Sequence, residues 1–395
     1  MKVLFVINGL GAGGAERSLV EALPHLRRGG VDPVVVCLQP AGEGFAREIQ
    51  AAGFDLRFLR GRRLLSWTLE LRRILRAVRP QVVHTVLFEA DLVGRVAAAG
   101  TPAAVITSLV NTSYDRVRLA DPRVPRARLE AVRLVDGWTA RHLTDRFHAV
   151  TEAVKGSAVT ALRIPPERIT VIARGRDPGR LGVPGPRRRR EARARLGLSE
   201  ADEVIVTVGR QEFQKGHRHL LEALAALTAR PRLVLLAAGR RGHVSSELAG
   251  AVRALGLEGR ARFLGHRDDV PELLAAADLF AFPSLYEGLG GALIEAMALG
   301  LPIVTSDIPA VGEVVERDRN ALLVPPGDAG ELARAMATLL DDRDLARSFA
   351  ARSRAIFEQR FSLQTSVERW LELYRRVVAE RRPAAPASAT RSTGC

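Results

Sequence analysis

Two series of short apolar runs leave this chain few folds to choose from. Each run ends on glycine, proline or polar residues. The first series is KVLFVI (2–7), VDPVVVCLQ (31–39), DLRFLR (55–60), QVVHTV (81–86), AAVITSLV (103–110), RFHAVT (146–151) and ITVIAR (169–174). The second is DEVIVTVGR (202–210), RLVLLAAGR (232–240), ARFLGH (261–266), DLFAFPS (278–284), PIVTSD (302–307) and ALLVPP (321–326). Helical segments separate most runs of the first series, and in the second helical patterns fall at 217–229, 245–256, 269–277, 290–299 and 328–339. Apolar runs of strand length that alternate with helices predict parallel strands covered on both faces. Each series therefore reads as a doubly wound α/β sheet. A length of 395 residues is too great for one ordinary core and agrees with two tandem Rossmann-like domains.

Between the series, RGRDPGRLGVPGPRRRR has a linker's composition. The expected division is a first Rossmann-like domain at 1–174, an Arg/Pro/Gly-rich hinge at 175–197 and a second Rossmann-like domain at 198–363. A helix at 364–382, carrying Trp370 and Tyr374, follows and is expected to cross back to the first domain. The tail at 383–395, PAAPASATRSTGC with its lead-in, reads as disordered. Ligands of open parallel sheets bind beyond the carboxyl ends of the strands. Two such domains facing across a cleft suit an enzyme with two substrates.

The net charge is +15, and RRRREARAR (187–195) supplies five of those charges through six arginines and one glutamate. No aromatic residues interleave the arginines as a single-strand binder requires, so the run reads as a solvated interdomain segment and nucleic acid is not an expected partner. A weak attraction to anionic lipid headgroups stays open. The first apolar run, VLFVI, is five residues long and leads straight into glycines, so no signal peptide is expected. No segment approaches the roughly 20 apolar residues that span a bilayer. Cys37 and Cys395 cannot form a disulfide framework, which points to a reducing cytoplasm.

The stretch GLGAGG (9–14) matches G-x-G-x-x-G after a strand and before a helix. A dinucleotide site also needs an acid at the end of the second strand, and that strand ends in Leu38 and Gln39. The alternatives are a tight turn needing positive φ, or a loop that lets another chain, a sugar or a phosphate approach the helix. The second glycine cluster is sharper. In YEGLGGALIEAMALGLP (286–302), Glu287 and Glu295 flank Gly288, Gly290 and Gly291, where a strand gives way to a helix. Free N–H groups and the positive end of the helix dipole attract phosphate there. Glu295 sits about one turn inside, and its side chain leans back toward a group beside that phosphate, such as a ribose diol. GRQEFQKGH (209–217) offers Arg210 and Lys215 at another strand end. Lysine occurs only at Lys2, Lys155 and Lys215, so its use beside a glycine in this arginine-rich chain points to a phosphate cation, with a solvated surface lysine as the plain alternative. Fixed cations and amide hydrogens stabilise a departing diphosphate without a metal.

These residues resemble glycosyltransferase family 4, of the two-domain GT-B fold. The likeness runs through GGAE (13–16), HTVLFEADLVGR (84–95), HAVTEAVKGS (148–157), GRQEFQKGH, FLGHRDDVPELLAAADLFAFPSLYEGLGGALIEAMALGLPIVTSD (263–307) and NALLVPPGD (320–328). The E-x7-E pair Glu287/Glu295 is its best signature. The resemblance implies retaining transfer of a sugar from a nucleoside-diphosphate donor to a glycan or lipid-linked hydroxyl, with no required metal and no other cofactor. It implies that Glu287 meets the donor sugar, Glu295 the ribose, and Arg210 with Lys215 the diphosphate. Gly288, Leu289, Gly290 and Gly291 would line the donor, the last two offering amides to phosphate. Gly265, His266 and Arg267 would lie against the base. Gly13 and Gly14 would line the acceptor side, with His84 and Asn111 in the cleft. The chain departs from the family's pattern at Val110, where a histidine is common, at Val86, in the hinge ARGRD (173–177) and at Arg240, where an acid is frequent.

Other readings compete with these. His84 is either a substrate contact or a satisfied structural histidine. His217 and His219 point different ways on a helix and do not make a metal pair. A hydrolase dyad of Glu287 and Glu295 has no use for a phosphate cradle. A non-catalytic scaffold of the same fold is the main rival, and an NAD-dependent oxidoreductase lacks its ribose clamp.

Overall fold

The computed structural model describes residues 1–381 except 12, 40–43, 62 and 122. The expected disordered tail, with Cys395, lies outside the described residues.

Among the described residues, thirteen strands form two all-parallel sheets. The first contains β1 (Lys2–Ile7), β2 (Asp32–Cys37), β3 (Asp55–Phe58), β4 (Val82–Val86), β5 (Ala104–Leu109), β6 (Arg146–Ala149) and β7 (Ile169–Val171), in the order β3-β2-β1-β4-β5-β6-β7. The second contains β8 (Glu203–Val208), β9 (Leu233–Ala238), β10 (Ala261–Gly265), β11 (Leu279–Phe282), β12 (Ile303–Ser306) and β13 (Ala321–Val324), in the order β10-β9-β8-β11-β12-β13. Every expected strand is present, with ends trimmed where the chain turns into a loop. Alternate residues of β1 serve opposite faces, as the two-residue period requires. Val3, Phe5 and Ile7 pack with the first helix (Gly14–Arg28) and the last (Leu363–Arg381). Leu4 and Val6 pack with helices Leu64–Val78 and Phe88–Ala98.

The last helix does return to the first domain, where Trp370 and Tyr374 are buried. The outgoing and returning chains cross side by side. The Arg176 amide donates to the Phe361 carbonyl and the Leu363 amide to the Arg176 carbonyl, each at 3.0 Å. Further ties join the lobes. Thr151 donates to the Gly288 carbonyl at 2.9 Å, and the Glu313 carboxylate accepts the amides of Glu152 and Ala153, both at 2.7 Å, at the start of a helix.

The arginine run corrects one expectation. Residues 186–195 are not a solvated linker but a helix packed on the second domain. Arg188 pairs with Glu272 at 2.9 Å, and Arg189 and Arg193 hold the two oxygens of Asp278 at 2.8 and 2.7 Å. Arg193 is buried and also donates to the carbonyls of Ala276, Ser199 and Asp202. A local charge count misses this because Glu272 and Asp278 lie some 80 residues further along the chain.

Candidate active site

In each sheet the first strand of the series sits where the strand order reverses: β1 beside β4, and β8 beside β11. Loops leaving two such strands diverge to opposite faces and open a crevice at their carboxyl ends. In the second domain those loops carry Arg210 to Lys215 after β8 and Pro283 to Gly291 after β11. The structure joins them: the Lys215 ammonium pairs with the Glu287 carboxylate, both largely buried. Gln214 fixes the same junction by donating to the Tyr286 carbonyl at 2.8 Å, and the Leu285 amide donates to the Gln214 carbonyl at 2.8 Å. Lys215 also lies over the Phe282 ring, 5.3 Å from its centroid.

Gly290 caps the helix Gly291–Ala298 with φ of +83°, in the left-handed region that a side chain resists. Gly288 is required for a different reason. A Cβ there would stand 1.9 Å from the Val110 carbonyl of the first domain. Leu289 is buried beneath this turn. Asn111 adjoins that contact, its Cα 3.0 Å from where the Cβ would stand, and accepts the Thr112 amide at 2.9 Å. Gly265 ends β10 and His266 and Arg267 follow it, further from the switch point; Arg267 is held by Asp269 at 2.6 Å and His266 lies 3.3 Å from Asp268.

Glu295 is engaged by arginines of the hinge. Its carboxylate accepts from Arg176 at 2.8 Å and from Arg180 at 3.3 Å. Arg176 donates in turn to Ser18 at 2.9 Å, and Arg180 pairs with Glu21 at 2.6 Å, both partners on the first helix. The Arg176 guanidinium lies against Gly291, where a Cβ would meet it at 2.0 Å. The hinge thus threads two arginines between the E-x7-E helix and the opposite domain. Burial pushes the Glu21 carboxyl up against the pull of Arg176 and Arg180.

On the acceptor side, Gly13 caps the first helix and Gly14 opens it. The Glu16 carboxylate folds back against Gly13, 2.3 Å from where a Cβ would stand, and Arg240 lies against Gly11 across the cleft. Burial raises the Glu16 carboxyl, opposed by Arg210, Arg174 and Arg240. Arg174 is buried and its Nε has no hydrogen-bond partner among the described residues. Burial pushes its guanidinium down to about 10. Sequence reasoning noted the hinge and Arg240 as departures but assigned no site role to Arg174, Arg176, Arg180, Glu16 or Glu21. The one available signal was a cluster of arginines in a hinge, and nothing in sequence pairs them with acids far along the chain.

His84 is corrected. It does not face the cleft but lies fully buried beneath the last helix. Its Nδ1 meets the Tyr374 hydroxyl at 2.7 Å and its Nε2 the Ser108 hydroxyl at 2.8 Å. Ser108 meets His148 Nδ1 at 2.9 Å, and His148 Nε2 meets the Ile172 carbonyl at 2.8 Å. A carbonyl only accepts, so His148 donates from Nε2 and its Nδ1 accepts from Ser108. Ser108 then accepts from His84 Nε2, and His84 Nδ1 accepts from Tyr374. Both rings are neutral and fully used. Burial holds His84 well below the usual histidine range and His148 down at about 3. His217 is also buried, while His219 is partly exposed beside Glu222.

Comparison with known proteins agrees with this geometry. The family model described as Glycosyltransferase Family 4 matches residues 12–180, and that described as Glycosyl transferases group 1 matches residues 188–356. The alpha-maltose-1-phosphate synthase of Mycolicibacterium smegmatis is 32% identical over 262 residues, 62% of this chain and 67% of that protein. The Escherichia coli UDP-Gal:alpha-D-GlcNAc-diphosphoundecaprenol alpha-1,3-galactosyltransferase is 27% identical over 286 residues, 70% of each chain. Three further curated relatives are matched over only 56% to 65% of their length. Among solved structures, Anabaena Alr3699/HepE in complex with UDP and glucose aligns with a TM-score of 0.83 at 24% identity, over 95% of this chain and 100% of that one. With two Rossmann-like sheets facing across a cleft and both family models matched in tandem, the chain has the GT-B fold and belongs to glycosyltransferase family 4.

Proposed function

We propose that this protein is a retaining, metal-independent glycosyltransferase. It moves a sugar from a UDP- or GDP-linked donor to a hydroxyl of a glycan or lipid-linked acceptor, in the making of a surface polysaccharide or glycolipid. The observation that carries the reading is the Lys215–Glu287 pair at the β8/β11 switch point, beside the amide-bearing start of helix Gly291–Ala298. The donor enters there, with its diphosphate against Arg210, Lys215 and the amides of Gly290 and Gly291. Lys215 then exchanges part of its bond to Glu287 for phosphate oxygen, and Glu287 turns to the donor sugar.

Charge supports this reading. Arg174, Arg176, Arg180, Arg210, Lys215 and Arg240 surround the cleft against Glu16, Glu21, Glu287 and Glu295, an excess of two positive charges. A nucleoside-diphosphate sugar carries about two negative charges on its pyrophosphate, so it completes the balance. As the sugar–phosphate bond breaks, further charge builds on the leaving oxygen, and cations fixed in a water-poor crevice stabilise that charge more than the ground state. Glu295 binds the ribose after Arg176 yields to the phosphates, which makes donor binding and hinge rearrangement one event. The acceptor approaches from Gly13, Gly14 and Asn111 on the first domain, and the departing phosphate takes its proton on the same face, which gives retention.

Release of nucleoside diphosphate from a panel of UDP- and GDP-sugars, with and without acceptor glycans, tests the proposal. One donor should raise the unfolding temperature and be consumed. Binding of no donor by calorimetry supports the scaffold reading instead.

A further inference from the structure

Among the described residues, nine of the ten large apolar side chains left exposed fall between Leu64 and Trp138; only Val183 lies elsewhere. They belong to helices Leu64–Val78, Phe88–Ala98 and Arg126–Leu143 and to the short helix Arg116–Ala120. The three long helices return from β3, β4 and β5 to the next strand on the same side of the sheet order. Right-handed crossovers therefore put them on one face, and the first neighbours the second as the second does the third.

The exposure is patterned. In helix Arg126–Leu143, Leu129, Asp136, Thr139 and Ala140 face inward, while Ala131, Leu134, Val135 and Trp138 form an outward stripe at helical spacing. Leu134 is 63% exposed, Val135 52% and Trp138 55%. Leu65 and Leu69, one turn apart on helix Leu64–Val78, are 71% and 51% exposed. Trp138 meets the His142 ring of its own helix, 5.2 Å between centroids, and is still 55% exposed.

The same stretches carry most of the chain's net positive charge. Residues 60–79 have seven arginines against one acid, Glu70; residues 113–143 have seven against four, and two of those four, Asp121 and Asp136, are buried. Together they hold nine of the fifteen net positive charges. Arg118, Arg123, Arg133 and Arg141 are spent on internal bonds, as is most of the run at 187–195, whereas Arg72, Arg73, Arg76, Arg126 and Arg128 have no side-chain bond among the described residues. Exposed leucines and a tryptophan on arginine-rich helices match a bilayer interface, where apolar side chains enter the acyl boundary and cations meet anionic headgroups. A second copy of the same face fits less well, because two strongly positive surfaces repel. The patch also reaches the cleft: Arg118 lies beside Tyr286, next to Glu287.

We infer that the face built by helices Leu64–Val78 and Arg126–Leu143 docks this protein on an anionic lipid bilayer, with the acceptor side of its cleft at the membrane surface. The inference is independent of the transferase reading, since docking needs no turnover.

The test is sedimentation of the full chain with vesicles of phosphatidylcholine and phosphatidylglycerol, against phosphatidylcholine alone. Trp67 and Trp370 are buried, so a blue shift of tryptophan emission on vesicles reports Trp138. The expected result is binding that needs the anionic lipid and weakens with salt. The double variant Leu65→Glu, Leu134→Glu should bind at least about tenfold more weakly and lose the blue shift, with unchanged circular dichroism and unfolding temperature. Three outcomes overturn the inference: no binding to anionic vesicles; equal binding by the double variant; or an emission already blue-shifted without lipid that changes with protein concentration, which would assign the face to a second copy.

Discussion

Replacing Lys215 by methionine removes the cation from a pair whose carboxylate, Glu287, is only 7% exposed. Breaking a buried pair and stranding its other charge costs about 3–5 kcal/mol. Lys215 is 19% exposed, so water relieves part of this, and about 2–3 kcal/mol is expected. For a domain of this size each kcal/mol moves the midpoint by about 2–4 °C, so unfolding should shift down by roughly 4–12 °C. Adding Glu287→Gln removes the stranded charge, and more than half of that loss should return. Turnover should behave otherwise. Loss of a cation that meets the leaving group costs about 10²–10³ in rate, and the double variant should remain as inactive as either single one. Differential scanning fluorimetry and nucleoside-diphosphate release, run on the wild type, both single variants and the double, give the full cycle. Activity that returns together with stability in the double variant would mean that Lys215 only supports the fold. A Lys215→Met protein with normal turnover would remove the basis of the proposed site.

Arg174→Met removes a buried guanidinium whose Nε lacks a partner, so it should raise stability by about 1–3 kcal/mol while lowering kcat/KM, if the cation waits for an anionic substrate; unchanged kinetics would assign it to structure alone. Glu313→Ala uncaps an interdomain helix start, at a cost of about 1 kcal/mol, and should widen the cleft as measured by small-angle scattering and raise the donor KM. His84, His148 and His217 are held neutral, the last two down at about 3 and 4. Their folded values lie below the unfolded value of about 6.5, so the unfolded chain binds more protons in acid and stability falls as pH drops from about 6.5 toward 3. The slope is about 1.4 kcal/mol per pH unit for each ring, and raised carboxyls such as Asp91, at about 8, act in the opposite sense. Subtracting the unfolding profile of His84→Gln from that of the wild type isolates the term under the last helix; superimposable profiles would refute it.

Much of this protein was legible from its sequence because the signals are local. Apolar runs of strand length between helices announced the thirteen parallel strands of the described residues, since a strand covered on both faces has no polar side to show. The glycines after β11 announced the left-handed turn that opens helix Gly291–Ala298, because backbone geometry needs nothing from elsewhere in the chain. What stayed hidden depends on partners far apart in sequence. The arginine run became a packed helix only because Asp278 and Glu272 lie beneath it. His84 turned from a cleft residue into the centre of a buried relay because Tyr374, 290 residues later, returns to cover it. Arg176 and Arg180 could not be matched to Glu295 and Glu21 without the crossing of the hinge between two domains. A charge or an imidazole takes its role from whatever neutralises or bonds it, and in a two-domain fold that partner is chosen by how the domains meet.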